Sequence, residues 1–242
     1  MSALQKAKTR QSEPSEFGPD STAIPISRKR QVQSNFFWTW SLKAGGRLVG
    51  LESELEFRAW HYLSAQPDVV QIGEQPVRIP HLFSAGHRYT FDTGVRRSDG
   101  TETLYEVKPE SQLGLGNDGT LAPKYWDEIS NWCRAEGRNC GFITDRELEP
   151  HTLLIDNWIK LMPYIREAHE YPEPDVQAEL IQLAGQPGGI ELRDAAARIG
   201  NFSTQTVTAQ AMWLLHEREI SADLDTENLD GELLIRNGDI GE

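Results

Sequence analysis

Asp92, Glu106 and Lys108 are the residues of this chain whose types and spacing could do chemistry together. They fall in Tyr89–Pro109 (YTFDTGVRRSDGTETLYEVKP), where an aspartate is followed, after 13 intervening residues, by Glu-Val-Lys. The stretch reads as two short strands joined by a turn at Ser98-Asp99-Gly100, with glycine free to take the positive φ such turns often need. Alternation puts Tyr89, Phe91, Thr93 and Val95 on one face and Thr90, Asp92 and Gly94 on the other. On the second strand Leu104, Glu106 and Lys108 share a face, with Tyr105 and Val107 opposite. A hairpin symmetric about Asp99 sets Asp92 against Glu106. Directly opposed side chains have Cβ atoms roughly 5 Å apart, and like charges there repel. A divalent cation turns that repulsion into coordination, and Lys108 then adds a cationic nitrogen beside it. This is the layout of a metal-dependent site for phosphodiester hydrolysis. The plainer alternative is a solvated hairpin, since acidic residues are common there.

The elements around the hairpin must position these groups. Leu51–Ser64 has helical periodicity, with Leu55, Ala59, Trp60 and Leu63 on one apolar face. Glu56 falls inside that face. A carboxylate aimed at a core needs a charged partner or a metal, so Glu56 is either a rim residue paired to an arginine or a further acidic ligand. Glu52 is near the same face but sits in the first turn, where negative charge suits the helix dipole. Short strands are expected at 69–72 and 77–79, separated by Glu74-Gln75-Pro76. After the hairpin come a glycine-rich loop at 112–119 and a helix at 122–136, with Tyr125, Ile129, Trp132 and Cys133 inward and Gly137 ending it. A strand at 140–144 and a long helical stretch at 147–169, interrupted by Pro163, follow. Hairpin, helix, strand in that order implies an α/β (α+β) fold: a mixed sheet with a crossover helix.

The chain has 242 residues and a net charge of −13, unevenly spread. Residues 1–47 carry +5, 48–172 carry −8 and 173–242 carry −10. The acidic total argues against broad non-specific DNA binding, yet not against an enzyme acting on DNA, where a metal supplies positive charge at the phosphate. No apolar run reaches the ~20 residues of a membrane span, and two cysteines are too few for a disulfide framework or a zinc site. The expectation is a cytoplasmic protein without a membrane segment. Residues 1–24 are polar and expected to lack fixed structure. Arg28-Lys29-Arg30 is a solvated tail or a phosphate contact, and Phe36-Phe37-Trp38-Thr39-Trp40 opens a strand pair around Gly45-Gly46. Tyr171-Pro172-Glu173-Pro174 marks a domain boundary. Beyond it, helices at 175–184, 191–199 and 204–218 and a strand pair at 219–222 and 232–236 outline a winged helix over 175–242. Its third helix and acidic wing would repel a phosphate backbone, so a protein contact is the expected role.

With Glu56, Glu74-Gln75-Pro76, Asp92 and Glu106-Val107-Lys108-Pro109 in view, the chain resembles the TnsA-type transposon-end endonucleases. The resemblance runs from about Phe37 to Asp145 and takes in Ser53-Glu54-Leu55-Glu56 and the Phe-Ile-Thr-Asp end of the last strand. It implies a restriction-endonuclease-like PD-(D/E)xK domain over 25–170. It also implies Glu56, Asp92 and Glu106 as acidic ligands of Mg²⁺ or Mn²⁺, the Val107 carbonyl as a further ligand and Lys108 as the catalytic lysine. Phe91 stands where the family motif has proline. Gln75 matches a family signature whose role the residues do not reveal. The resemblance further implies cleavage of 5′ strands in double-stranded DNA at transposon ends. A TnsB-like DDE transposase would process the 3′ strands, and a TnsC-like AAA+ ATPase would contact the C-terminal domain. The alternatives are a stand-alone restriction or repair nuclease of the same fold, or a silent adaptor between transposase and ATPase.

Overall fold

The structure, a computed structural model, describes residues 36–82, 87–116 and 119–238. The polar tail at 1–24 and Arg28-Lys29-Arg30 lie outside the described residues.

The hairpin forms in the expected register. Strands β6 (Thr93–Arg97) and β7 (Glu102–Val107) pair antiparallel, with Thr93 opposite Tyr105 and Val95 opposite Thr103, which is symmetry about Asp99. The Arg97 N–H donates to the Thr101 carbonyl at 2.9 Å, and Gly100 takes a φ of +84°. A three-residue loop closes this way when its last residue can be left-handed. Strand β3 (Val69–Glu74) pairs antiparallel with β6, and β10 (Asn139–Ile143) runs parallel to β7. The result is a four-stranded mixed sheet of order β10-β7-β6-β3.

A parallel pair requires a crossover. Here the chain leaves β7 through a short hairpin, β8 (Gly114–Leu115) with β9 (Leu121–Ala122), and returns through helix α2 (Trp126–Ala135). Ile129 and Cys133 of α2 pack with Leu104 and Phe91 on one face of the sheet. On the other face α1 (Glu54–Ala65) and α4 (Thr152–Glu170) bury Trp60, Leu63 and Ile155 against Ile72, Val95 and Val107. Because both faces are covered, Thr93, Gly94 and Val95 are buried in succession rather than alternately. A mixed sheet flanked by helices is the α+β architecture expected, consistent with a restriction-endonuclease-like fold.

Three boundaries differ from expectation, each for a local reason. Helix α1 starts at Glu54, since Leu51 ends β2 (Arg47–Leu51), paired with β1 (Phe37–Ser41), and Ser53 caps the helix by accepting the Glu56 N–H. Helix α2 starts at Trp126, because Leu121–Ala122 is committed to β9 and Tyr125 adopts φ +66°. Tyr125 is therefore exposed rather than inward. Finally, α4 runs through Pro163 without ending. The proline faces solvent while Leu161, Met162 and Ile165 are held in an apolar cluster, and that packing outweighs the lost backbone hydrogen bond. A short helix, α3 (Asp145–Leu148), precedes α4 and carries a capping box formed by Thr144 and Glu147.

Beyond α4 the three expected helices form as α5 (Pro174–Ala184), α6 (Leu192–Arg198) and α7 (Thr204–Glu217). The expected strand pair, β12 (Ile220–Ser221) and β13 (Leu234–Asn237), gains β11 (Ile190–Glu191) as a third antiparallel member, order β11-β13-β12. Two residues are too few for β11 to show as a pattern in the sequence. The apolar cluster of this region includes Val176, Leu180, Val207 and Met212, and it reaches back to Trp158, Leu161 and Ile165 of α4. Among the described residues no helix is long and apolar enough to cross a membrane.

Candidate functional site

Asp92 lies one residue before β6, where the β6–β7 ladder ends, and it is pinned three times. Its N–H donates to the Tyr105 carbonyl at 3.0 Å, and its own carbonyl accepts the Gln75 N–H at 2.9 Å. Its Oδ2 accepts the Val107 N–H at 2.7 Å. The paired register stops at Thr93 opposite Tyr105, and the bond from the Asp92 N–H to that same Tyr105 takes Asp92 out of direct opposition to Glu106, although its carboxyl stays within the field of Glu106. The carboxylate has taken over the ladder bond that a backbone carbonyl would otherwise supply.

Glu106 is 4% exposed. Its Oε1 lies 2.9 Å from Lys108 Nζ, and its Oε2 accepts the Tyr89 hydroxyl. Lys108 is anchored in turn by its N–H, which donates to the Ile143 carbonyl of β10 at 3.0 Å. Glu56 projects from the first turn of α1. There Oε2 accepts the Glu52 N–H at 3.0 Å and Oε1 accepts the Ser53 hydroxyl at 3.0 Å. These bonds satisfy orphan donors at a helix N-terminus, so the carboxylate has a capping role as it stands.

The charges act on one another. Burial pushes the Asp92 carboxyl well above the usual carboxylate range; the fields of Glu106 and Glu56 add to this, while Lys108 and the Val107 N–H work against it. Burial also raises Glu56, against the hydrogen bonds from Glu52 and Ser53, with the Glu52 charge raising it further and Lys108 lowering it. For Lys108, burial acts to lower the ammonium pKa, but the carboxylates of Asp92, Glu106 and Glu56 outweigh it and the net direction is upward. Three carboxylates and one lysine thus form a single electrostatic group at the end of β7.

Gln75 acquires a physical account. It sits just past β3 with φ +45°, its N–H holds Asp92, and its Nε2 donates to Glu52 Oε1 at 2.7 Å. It therefore ties the α1 entry to the Asp92 backbone. Glu74 beside it is bound through both oxygens by Arg47, at 2.6 Å each, which fixes the end of β3 to β2.

Sequence reasoning missed Tyr89. Strict alternation placed it opposite Asp92, but β5 (His87–Thr90) stops before Phe91-Asp92 and β6 starts afresh at Thr93, which resets the faces. Its ring meets Phe91 edge-on, with centroids 5.1 Å apart. It also missed Glu52 as the partner of Gln75.

The donor set fits a hard divalent cation in kind: clustered carboxylate oxygens with an excess of negative charge, and a lysine at the rim. Among the described residues, however, no three His, Cys, Asp or Glu side chains stand together as a finished cage. Glu106 is shared between Tyr89 and Lys108, and Glu56 is held by the cap.

Residues 66–145 match the family model described as TnsA-like endonuclease N terminal. The matched stretch contains Gln75, Asp92, Glu106 and Lys108, whereas Glu56 precedes it. No curated protein matches the chain. Over the strands that carry Asp92 and Glu106 the chain is thus similar to TnsA-like endonucleases, which supports a nuclease related to TnsA.

Proposed function

We propose that this chain is the Mg²⁺-dependent endonuclease subunit of a cut-and-paste transposon, hydrolysing the 5′ strands at the element ends. The observation that carries the reading is the Asp92–Glu106–Lys108 group at the end of β7, inside the stretch similar to TnsA-like endonucleases. Asp92 and Glu106, with Glu56 and the Val107 carbonyl, would hold Mg²⁺, or Mn²⁺ in its place. The chemistry such a cation supplies is a lowered pKa for the attacking water and neutralised charge at the scissile phosphate.

The chain's own residues do the rest. The Val107 N–H and the Gln75 N–H hold Asp92 from two sides, so its carboxylate is oriented before substrate arrives. Tyr89 and Lys108 divide the oxygens of Glu106. Lys108, at the more open edge, acts on the attacking water or on the charge of the pentacovalent transition state. In this reading the 3′ strands fall to a TnsB-like DDE transposase. The acidic C-terminal segment, winged-helix-like in its element order, docks a TnsC-like AAA+ ATPase. Its net charge of −10 supports contact with protein rather than with a phosphate backbone.

Calorimetric titration of Mn²⁺ or Mg²⁺ into wild type and Asp92→Ala, with and without an end-DNA duplex, tests the site. Saturable binding lost in the variant is the expected result. With transposase and ATPase added, Asp92→Ala should then lose 5′-strand cleavage by several orders of magnitude and keep 3′-strand processing. Absence of binding in both proteins, even with DNA present, would remove the metal site and favour the adaptor role.

A further inference from the structure

Gln75 holds a φ of +45°, in the left-handed region, although it carries a side chain and precedes Pro76. A residue before proline is pushed toward extended backbone, so this conformation is unfavourable twice over. Its surroundings hold it there. Glu74 is gripped by two nitrogens of Arg47, and the Gln75 N–H donates to the Asp92 carbonyl at 2.9 Å. From that position the Gln75 Nε2 donates to Glu52 Oε1 at 2.7 Å. Glu52 in turn gives its N–H to Glu56 Oε2 at 3.0 Å. From this chain of hydrogen bonds we infer that Gln75 and Glu52 are positioning residues. They form a strap from Asp92 to Glu56 that fixes how far apart the two carboxylates stand, and so the size of cation the pair accepts. The inference rests on the proposed cation site and assigns two residues that hold its width.

A strap is needed because different elements supply the two carboxylates. Asp92 belongs to the main sheet, where the Tyr105 carbonyl and the Val107 N–H hold it. Glu56 belongs to α1, whose buried residues begin only at Ala59. Between Leu51, buried at the end of β2, and Ala59 no residue is fully buried. Leu55 and Phe57 pack there only in part. Core packing therefore sets the distance of Glu56 from the sheet loosely, and the Gln75–Glu52 bond crosses that gap. Its anchor is firm, since the adjacent Glu74 and Gln75 grip Arg47 and Glu52, the two ends of the segment that leads into α1.

The width of the site decides which cation it prefers. A small octahedral cation needs its oxygens close and well placed, whereas Ca²⁺ takes longer contacts in a flexible shell. A strapped pair favours the small cation, and a loosened pair moves the preference toward Ca²⁺. This gives a backbone strained at a residue outside the carboxylate group a function in that group.

Calorimetric titrations of Mn²⁺ and of Ca²⁺ into full-length protein with an end-DNA duplex, duplex alone subtracted, test this. Gln75→Asn tolerates the left-handed backbone and keeps the N–H that holds Asp92, but its side chain is one methylene short of Glu52. Gln75→Asn and Glu52→Ala should each weaken Mn²⁺ binding about tenfold and Ca²⁺ binding less, so the ratio of the two affinities falls. Both cations carry two charges, so changes in local charge largely cancel in that ratio and geometry remains. Glu52→Gln, whose amide oxygen can still accept from Gln75, should keep the wild-type ratio. The double variant Gln75→Asn, Glu52→Ala should do no more than either change alone, because both cut one bond. Unchanged ratios in the two single variants, or losses that add in the double variant, would overturn the inference and leave the cation site standing. Wild type that binds neither cation would overturn the site and the inference with it.

Discussion

Asp92 shows what crowding carboxylates costs a fold. In the unfolded chain its carboxyl titrates near the ordinary value of 3.8, and in the folded protein it titrates well above that. Between the two values the folded state keeps a proton that the unfolded state has released. The associated stability is full below about pH 3.8 and is lost as pH rises through the raised folded value. Asp92→Asn should therefore melt higher than wild type at pH 7 in chelator. It leaves an oxygen for the Val107 N–H and removes the repulsion from Glu106 and Glu56. Each 1 kcal/mol so relieved should raise Tm by about 2–4 °C for a chain of this size. The gap should narrow as the pH falls toward 4, and Mn²⁺ should raise the Tm of wild type alone. Thermal melts from pH 4 to 8 check this, and equal Tm values at pH 7 would show that Asp92 is not strained. At this scale the spacing of Asp92, Glu106 and Lys108 was legible because it depends only on a turn at Asp99 and a period of two. Tyr89 was not, because its direction depends on a two-residue break at Phe91-Asp92 that no residue type announces.

Among the elements, the N-terminus of α1 holds the sharpest ambiguity. Ser53 and Glu56 are three apart and bond reciprocally enough to be read as a helix cap, while the proposed function would make Glu56 a metal ligand. The two roles respond differently to substitution. In Glu56→Gln the amide oxygen can still accept from the Ser53 hydroxyl or the Glu52 N–H, so stability should change by less than about 0.5 kcal/mol. A lost carboxylate ligand should nonetheless weaken Mn²⁺ binding at least about tenfold. Ser53→Ala should do the opposite, costing about 1 kcal/mol through the cap while leaving Mn²⁺ affinity intact. Paired melts and calorimetry separate the roles, and unchanged Mn²⁺ affinity in Glu56→Gln would confine Glu56 to capping. The hairpin and α2 were readable from periodicity and from Gly137, whereas the cap at Ser53 was not read, because the helical period was carried back to Leu51. Where the reading failed, non-local contacts decided. Tyr125 is set by the pairing of β9 with β8, and the continuity of α4 through Pro163 is set by a cluster built largely from residues beyond 174.

At the scale of the molecule, α4 belongs to both apolar clusters: Ile155 packs with the main sheet, while Trp158 and Leu161 pack with the C-terminal helices. Between them Asn157 is fully buried, and it does not face the core idly. Its Nδ2 donates to the Leu224 and Glu227 carbonyls at 3.0 and 2.7 Å, and its Oδ1 accepts the Leu229 N–H at 2.9 Å. One side chain thus moors the acidic loop between β12 and β13 to the helix shared with the sheet. Asn157→Ala would leave three backbone groups to find water, and stability should fall by roughly 2–4 kcal/mol. The location of the loss is the more telling readout. Amide exchange at Leu229 should accelerate first, with the β7 amides protected and Mn²⁺ binding retained, because Val107 and Asp92 are held by β6, β10 and Gln75 rather than by the loop. Unchanged exchange at Leu229 would mean the loop is held by something else. Joint acceleration at Leu229 and Val107 would mean that α4 welds the acidic segment and the carboxylate site into one cooperative unit. A protein docking on the loop could then bias the geometry around Asp92 through that helix.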